Sequence, residues 1–289
     1  MNKFIITSDT TADLPKDYVE KNEIGILPMS FQMEGKDYSG DEELDIKEFY
    51  DKMRNGLMPT TSQINPTQAK SKFEEYLKNG YDVLHISFSS GLSGSYNNTR
   101  IASIELNDEY KNKKVVVIDS LSVSLGEGLL VNKAVELRNE GKSIDEVAVW
   151  LEENKIKVCQ HFTVNDLNHL YRGGRVSRAT AILGSVIGVK PIIHVDNEGK
   201  LIPIAKVRGR KQSLTKLIDN MEKTIGSYKS ENKTVFISHG DAYEEAVALG
   251  ERIKEKFGVE SIMISPIGPV IGSHSGPGTV AVFFMGEKR

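Results

Sequence analysis

The stretch Val83-Leu84-His85-Ile86-Ser87-Phe88-Ser89-Ser90-Gly91-Leu92-Ser93-Gly94-Ser95-Tyr96 decides the fold. Val83 to Phe88 is a short, mostly apolar run closed by Ser and Gly, the pattern of a strand buried on both faces of a parallel sheet. The Gly/Ser-rich half that follows opens a helical pattern reaching Leu106. Two further strands of the same character, Phe4 to Ser8 and Val115 to Asp119, alternate with helical patterns at Asp45 to Asn55, Pro66 to Asn79 and Ser124 to Glu140. Strand, loop, helix, strand is the rhythm of βαβ units, so the first half is expected to be an open parallel α/β sheet.

Further along, Ile144 to Asn154 reads as a helix capped by Ser143, with Glu146 at the capping-box spacing. The pattern then changes. Lys157 to Phe162 and Pro191 to Val195 read as strands, and the turn Asp196-Asn197-Glu198-Gly199 leads into Gly199 to Val207, a pairing so tightly joined that it must be antiparallel. A helix over Lys211 to Ile225, a strand at Thr234 to Ser238, a helix over Tyr243 to Phe257 and strands at Ile262 to Ser265 and Val280 to Met285 follow. The second half is expected to be an α+β domain with a mixed or antiparallel sheet. The chain has 289 residues, and at roughly 100–200 residues per domain that favours two domains, placed here at 1–154 and 155–289.

Composition narrows the function. Lys plus Arg total 37 against 40 Asp plus Glu, a formal net charge of -3, without the basic footprint of a general nucleic-acid binder. Cys159 is the single cysteine, which excludes an internal disulfide and a Cys-rich metal site. No apolar run approaches the length of a spanning helix, and the apolar stretch at Phe4 to Ile6 is too short for a signal peptide, so a cytoplasmic location without stable membrane insertion is expected.

Four segments carry the chemistry. Pro59-Thr60-Thr61-Ser62-Gln63-Ile64-Asn65-Pro66 offers the hydroxyls of Thr61 and Ser62 just ahead of a helix, where hydroxyl residues also serve as ordinary caps. The Ser87 to Tyr96 loop lies at the carboxyl end of a parallel sheet, where Gly91 and Gly94 permit close approach and a helix start favours an anion. It lacks both G-x-G-x-x-G and the P-loop pattern, so a small anion fits better than a nucleotide. Gly268 to Gly278 places His274 between two serines in a Gly/Pro-rich loop, as a hydrogen-bond donor to an anion, a base, a metal ligand or a structural residue. Arg172, Arg175 and Arg178 cluster around Gly173-Gly174, and Lys206, Arg208, Arg210 and Lys211 form a second basic group. Such patches recognise phosphate or a partner, or are solvated surface. Gly91-Leu92-Ser93-Gly94-Ser95 is not the nucleophile elbow, which leaves a Ser93–His274 hydrolase dyad only as a convergent alternative.

Read together, these segments resemble the DegV family over nearly the whole chain. Ser8-Asp9-Thr10-Thr11-Ala12-Asp13-Leu14-Pro15 is similar to its T-D-S-T-A-D-L-P opening, Thr61-Ser62-Gln63 to T-S-Q, and Ser89 to Tyr96 to S-S-x-L-S-G-T-Y with Ser95 for Thr. Gly173-Gly174-Arg175-Val176-Ser177 matches G-G-R-[IV]-S, and Gly272 to Gly278 matches G-x-H-x-G-P-G. The resemblance implies a two-domain α/β protein holding one long-chain fatty acid between its domains and presenting it to a separate ATP-dependent fatty acid kinase subunit for acyl phosphate formation. It implies no cofactor in this chain. By position, Thr61, Ser62, Ser93, Gly94 and His274 would hold the carboxylate, Arg208 would lie near the head group, and Arg172 would face the partner or the transferred phosphoryl group. A Ser/His acyl-ester hydrolase and a binder of another small anion remain the alternatives.

Overall fold

The computed structural model describes residues 3–39, 44–165, 167–177 and 188–289. The first half gives the strands β1 (Phe4–Asp9), β2 (Gly25–Leu27), β3 (Ser30–Met33), β4 (Lys36–Tyr38), β5 (Thr60–Ser62), β6 (Asp82–Ser87) and β7 (Val115–Asp119). Four of them form an all-parallel sheet in the order β2-β1-β6-β7, with Ile6 opposite Leu84 and Leu84 opposite Val116. A small antiparallel sheet, β4-β3-β5, was not foreseen from sequence, and it turns Thr60–Ser62 from a loop into an edge strand.

The helices are α1 (Lys16–Lys21), α2 (Ile46–Arg54), α3 (Pro66–Lys78), α4 (Ser95–Glu109), α5 (Leu125–Asn139), α6 (Ile144–Asn154), α7 (Asn168–Arg172), α8 (Arg210–Thr224), α9 (Tyr243–Phe257) and α10 (Pro269–Ser275). The caps explain several starts. Asn65 with Gln68 and Ser143 with Glu146 form complete capping boxes, each cap contributing about 0.5–2 kcal/mol. On one face of the parallel sheet, Ala69, Phe73 and Leu77 of α3 and Ala102 and Leu106 of α4 pack over Leu27, Val83 and Val115.

The second half supplies β8 (Val158–Thr163), β9 (Val189–Val195), β10 (Leu201–Arg208), β11 (Thr234–His239), β12 (Ser261–Pro266) and β13 (Val280–Met285). They form one sheet, β10-β9-β8-β13-β11-β12, antiparallel throughout except between β11 and β12, so it is mixed. Helices α8 and α9 cover its outer face through Leu217, Ile218, Met221, Ala246, Leu249 and Ile253.

Between the two sheets lies α5. Every residue from Leu125 to Val131 is buried, the pattern of a helix enclosed on all sides rather than amphipathic. Its apolar side chains join Ile6, Leu84 and Ile86 of one sheet to Phe162, Ile193, Phe236 and Phe283 of the other in a single core. Each large side chain so buried contributes about 1.5–3 kcal/mol, so the two sheets are joined by packing as well as by the chain.

Candidate functional site

The order β2-β1-β6-β7 contains a topological switch: the chain leaves β1 for β2 on one side, while β6 lies on the other. At such a point the loops after β1 and β6 diverge and leave a crevice beyond the strands' carboxyl ends. The β9–β10 turn closes over it. Ser89 Oγ donates to the Gly199 carbonyl at 2.8 Å, and a Cβ on Gly91 would fall 2.5 Å from the Glu198 carbonyl oxygen, so only glycine permits this approach. The result is a cavity of about 60 Å³ between the sheets, lined by residues of both halves of the chain. Its walls are mainly apolar, with Phe88, Leu92, Phe162, Leu201, Val270 and Phe283 among them.

One group of polar side chains in the lining is assembled from both halves of the chain. Along β5 the side chains alternate: Thr60 and Ser62 are exposed, and Thr61 turns inward. Thr61 Oγ1 lies 2.8 Å from His274 Nε2. His274 is carried by the last turn of α10, not by a loop as its glycines suggested. Pro269 at the helix start and a close seat for Gly272 against Tyr50 explain the helix, since a Cβ at Gly272 would meet Tyr50 Oη at 2.6 Å. Gly173 is the ring's seat, because a Cβ there would fall 2.1 Å from His274 Nδ1.

Arg175 completes the cluster. Its Nη2 donates to the Leu92 carbonyl at 3.1 Å and its Nη1 to the Gly173 carbonyl, and among the described residues no carboxylate pairs with it. Burial pushes its guanidinium below the usual range. Burial first, and the Arg175 charge second, push His274 down to about 4, which leaves a neutral imidazole at pH 7. Ser93 also lines the cavity, with its Oγ 3.0 Å from Ser95 Oγ and accepting from the Ser95 N–H at 3.2 Å. Among the described residues this sets a cation without a paired carboxylate beside a neutral imidazole and two hydroxyls, a donor set whose chemistry suits an anion.

The structure brings Thr61, Ser93 and His274 together and places the other sequence candidates elsewhere. Ser62 is exposed, paired in register with Ser30. The Gly94 N–H is not free for a ligand: Gln63 Oε1 accepts it at 3.0 Å, because the helix starts only at Ser95 and the Gln63 side chain satisfies the residue before it. Arg172, at the end of α7, is exposed with Nη1 2.9 Å from Met58 Sδ. Arg208 is exposed at the end of β10. Arg178 lies outside the described residues. Arg175 is the residue that sequence reasoning passed over. Its signal was the Gly-Gly before it, which gives the backbone room to fold back onto His274.

Behind the cavity sit carboxyl groups with the opposite behaviour. Asp13 Oδ2 accepts from Ser124 Oγ at 2.5 Å and Oδ1 from the Gly268 N–H at 2.9 Å, tying the cavity wall to the start of α10. Burial raises Asp13 to about 7. Glu127, on α5, accepts from Ser8 Oγ at 2.8 Å and Thr11 Oγ1 at 3.0 Å, and burial with the nearby Asp9 charge holds it well above the carboxylate range.

Comparison with known proteins places this architecture. The DegV family, described as uncharacterised, matches residues 3–287. A DegV domain-containing protein of Clostridium perfringens is 45% identical over 291 residues, 100% of this chain and 99% of that one. Among solved structures, the fatty-acid-binding DegV of Bacillus subtilis is 32% identical with a TM-score of 0.85, covering 99% of this chain and 100% of that chain. A fatty-acid-binding DegV family protein of Thermus thermophilus is 28% identical with a TM-score of 0.87, covering 99% and 100%. No helix among the described residues is long and apolar enough to cross a membrane.

Proposed function

The chain belongs to the DegV family, and from that premise we propose that it carries one long-chain fatty acid in the cavity between its two sheets. The carboxylate sits against Thr61, Ser93, Arg175 and His274, and the acyl chain lies along the apolar walls. The observation that carries this reading is an apolar cavity holding a half-buried guanidinium, with no acidic partner among the described residues, beside an imidazole kept neutral. Each buried methylene contributes about 0.8 kcal/mol, so the chain supplies affinity and the polar cluster supplies orientation. The same reading assigns residues 1–154 and 155–289 to two domains that share the ligand. Ser62, the Gly94 N–H and Arg208 stay outside the head-group contacts: Ser62 pairs with Ser30, Gln63 holds the Gly94 N–H, and Arg208 is exposed at the end of β10.

In the finer form of the proposal, the protein works in the cytoplasm as a carrier and not as a complete enzyme. It holds a carboxylate oxygen as the nucleophile for the γ-phosphate delivered by a separate ATP-binding kinase, a reaction in which positioning and electrostatics do most of the work. Arg172, exposed and outside the cavity, is the residue assigned to the partner or the transferred group. A Ser/His hydrolase is disfavoured by geometry: His274 Nε2 contacts Thr61, Ser93 Oγ contacts Ser95, and among the described residues no carboxylate orients the imidazole. The deciding experiment is native mass spectrometry of freshly purified protein followed by extraction of the ligand. A single bound fatty acid is expected. Protein that is empty and refuses added fatty acid defeats the proposal.

A further inference from the structure

Four hydroxyl residues line the cavity beyond the cluster assigned to the carboxylate: Thr11, Ser124, Ser275 and Thr279. A plain alkyl chain gains nothing from them. Three already commit their hydrogens within the protein. Thr11 Oγ1 donates to Glu127 Oε2 at 3.0 Å, Ser124 Oγ to Asp13 Oδ2 at 2.5 Å, and Thr279 Oγ1 to the Ser275 and Gly276 carbonyls at 3.0 and 2.9 Å. Their remaining capacity is as acceptors.

Ser275 differs from all three. It is only 6% exposed, and its Oγ is buried with no partner among the described residues. Leaving such a hydroxyl unsatisfied costs about 1–3 kcal/mol, and no described residue bonds it. A polar group on what occupies the cavity would satisfy it. Position along α10 says which part of the occupant that is. Ser275 directly follows His274, whereas Asp13, which holds Ser124, bonds Gly268 at the far end of the helix, about 9 Å away at 1.5 Å per residue. The orphan thus lies toward the carboxyl end of a bound acyl chain and Ser124 nearer its middle.

We propose that the cavity is built to accept a fatty acid bearing a hydroxyl group close to its carboxylate, with Ser275 Oγ donating to that hydroxyl. A ligand hydroxyl takes one hydrogen bond and gives one. Ser275 supplies the donor, and Thr279 Oγ1, which also lines the cavity and whose own hydrogen is committed to the Ser275 and Gly276 carbonyls, receives the ligand's hydrogen. This inference rests on the fatty-acid reading above, and it adds the class of acyl chain.

The test compares delipidated wild-type protein and Ser275→Ala by calorimetric titration with hexadecanoate, beta-hydroxyhexadecanoate and hexadecanoate hydroxylated in mid-chain. Wild type should bind the beta-hydroxy acid at least as tightly as the plain acid and the mid-chain hydroxy acid more weakly. Ser275→Ala should lose about tenfold for the beta-hydroxy acid, equivalent to about 1.4 kcal/mol, and less than twofold for hexadecanoate. Equal losses for both would assign Ser275 to the carboxylate and overturn the proposal, as would a wild-type preference for the plain acid by tenfold or more. Failure of wild type to bind any of the acids would defeat the fatty-acid reading itself. Ser275→Cys, close in size and a poor donor, should reproduce the selective loss and guards against a folding defect in the alanine variant.

Discussion

The polar groups at the cavity and those behind it are both buried, yet they are tuned in opposite directions. Burial pushes both His274 and Arg175 below their ordinary range, with the Arg175 charge adding to the effect on His274, and no acid among the described residues pairs with either. Around Asp13 and Glu127, burial pushes acids above theirs, with hydroxyls and a backbone N–H bonded to the carboxyl oxygens. The contrast gives the cavity a direction. An anion gains beside His274 and Arg175, while burial raises Asp13 and Glu127 and so weakens the repulsion from behind. Burial alone does not set function, since the same desolvation empties one cluster of counterions and fills the other with its own protons.

The strongest way to break this contrast is Arg175→Met. Removing a charged hydrogen-bond donor worth about 1.5–3 kcal/mol should lower fatty-acid affinity by up to about a hundredfold, measured calorimetrically on delipidated protein. It should also let His274 titrate nearer 6.5, because the cation that opposes its protonation is gone; an unchanged imidazole titration by NMR would contradict the electrostatic coupling. His274→Ala comes next, with binding reduced about tenfold, as expected for one lost hydrogen bond to a charged group, and acyl phosphorylation by the kinase reduced further. An equal loss in both would remove the orienting role from His274.

Acid stability sharpens the comparison further. His161 and His274 are lowered to about 4, and His194 and His239 are lowered too, each chiefly by burial. Between pH 6.5 and 4 the unfolded chain takes up protons that the folded chain refuses, so stability is full above 6.5 and falls as pH drops. His274→Asn should flatten that fall by on the order of 1 kcal/mol after allowing for partial solvent access, visible in Tm against pH. Asp13 has the opposite sign. Raised to about 7, it keeps its proton in the folded state while the unfolded carboxyl has lost it, so its contribution declines as pH rises from about 4 to 7. Asp13→Asn should therefore gain stability relative to wild type across that interval, and a constant difference in Tm would show that Asp13 is ionised throughout. The smallest effect belongs to Arg172→Ala, which should change fatty-acid binding less than twofold while weakening coupling to the kinase; an emptied cavity would move Arg172 from the partner's side to the ligand's.

Much of the architecture was legible because it follows local rules. The strands of the parallel sheet declared themselves as short apolar runs, and the Ser143–Glu146 box fixed the start of α6 at the residue expected. The tight turn after β9 required an antiparallel pair, which is what forms. What escaped was set by distant partners. Strands β3 to β5 have three or four residues each and exist only because Ser30–Met33 finds both Lys36–Tyr38 and Thr60–Ser62. Helix α10, with Gly272 and two serines inside it, has poor propensity and is held by its contact with α2. At the site, Thr61 and Ser62 are equivalent in sequence and opposite in space, because strand alternation depends on a pairing the sequence did not disclose. Arg172 and Arg175 differ likewise only in burial, which decides that one reads the solvent and the other the cavity.

The place of β13 bears on how the protein is made. It is the last strand in the chain, yet it sits at the centre of the six-stranded sheet, between β8 and β11, and brings Ala281 and Phe283 to the cavity wall. Until β13 pairs with both neighbours, β8 and β11 share no strand and that sheet exists only as separate pieces. The cavity wall therefore closes through contacts between residues far apart in sequence, the kind of pairing that forms slowly.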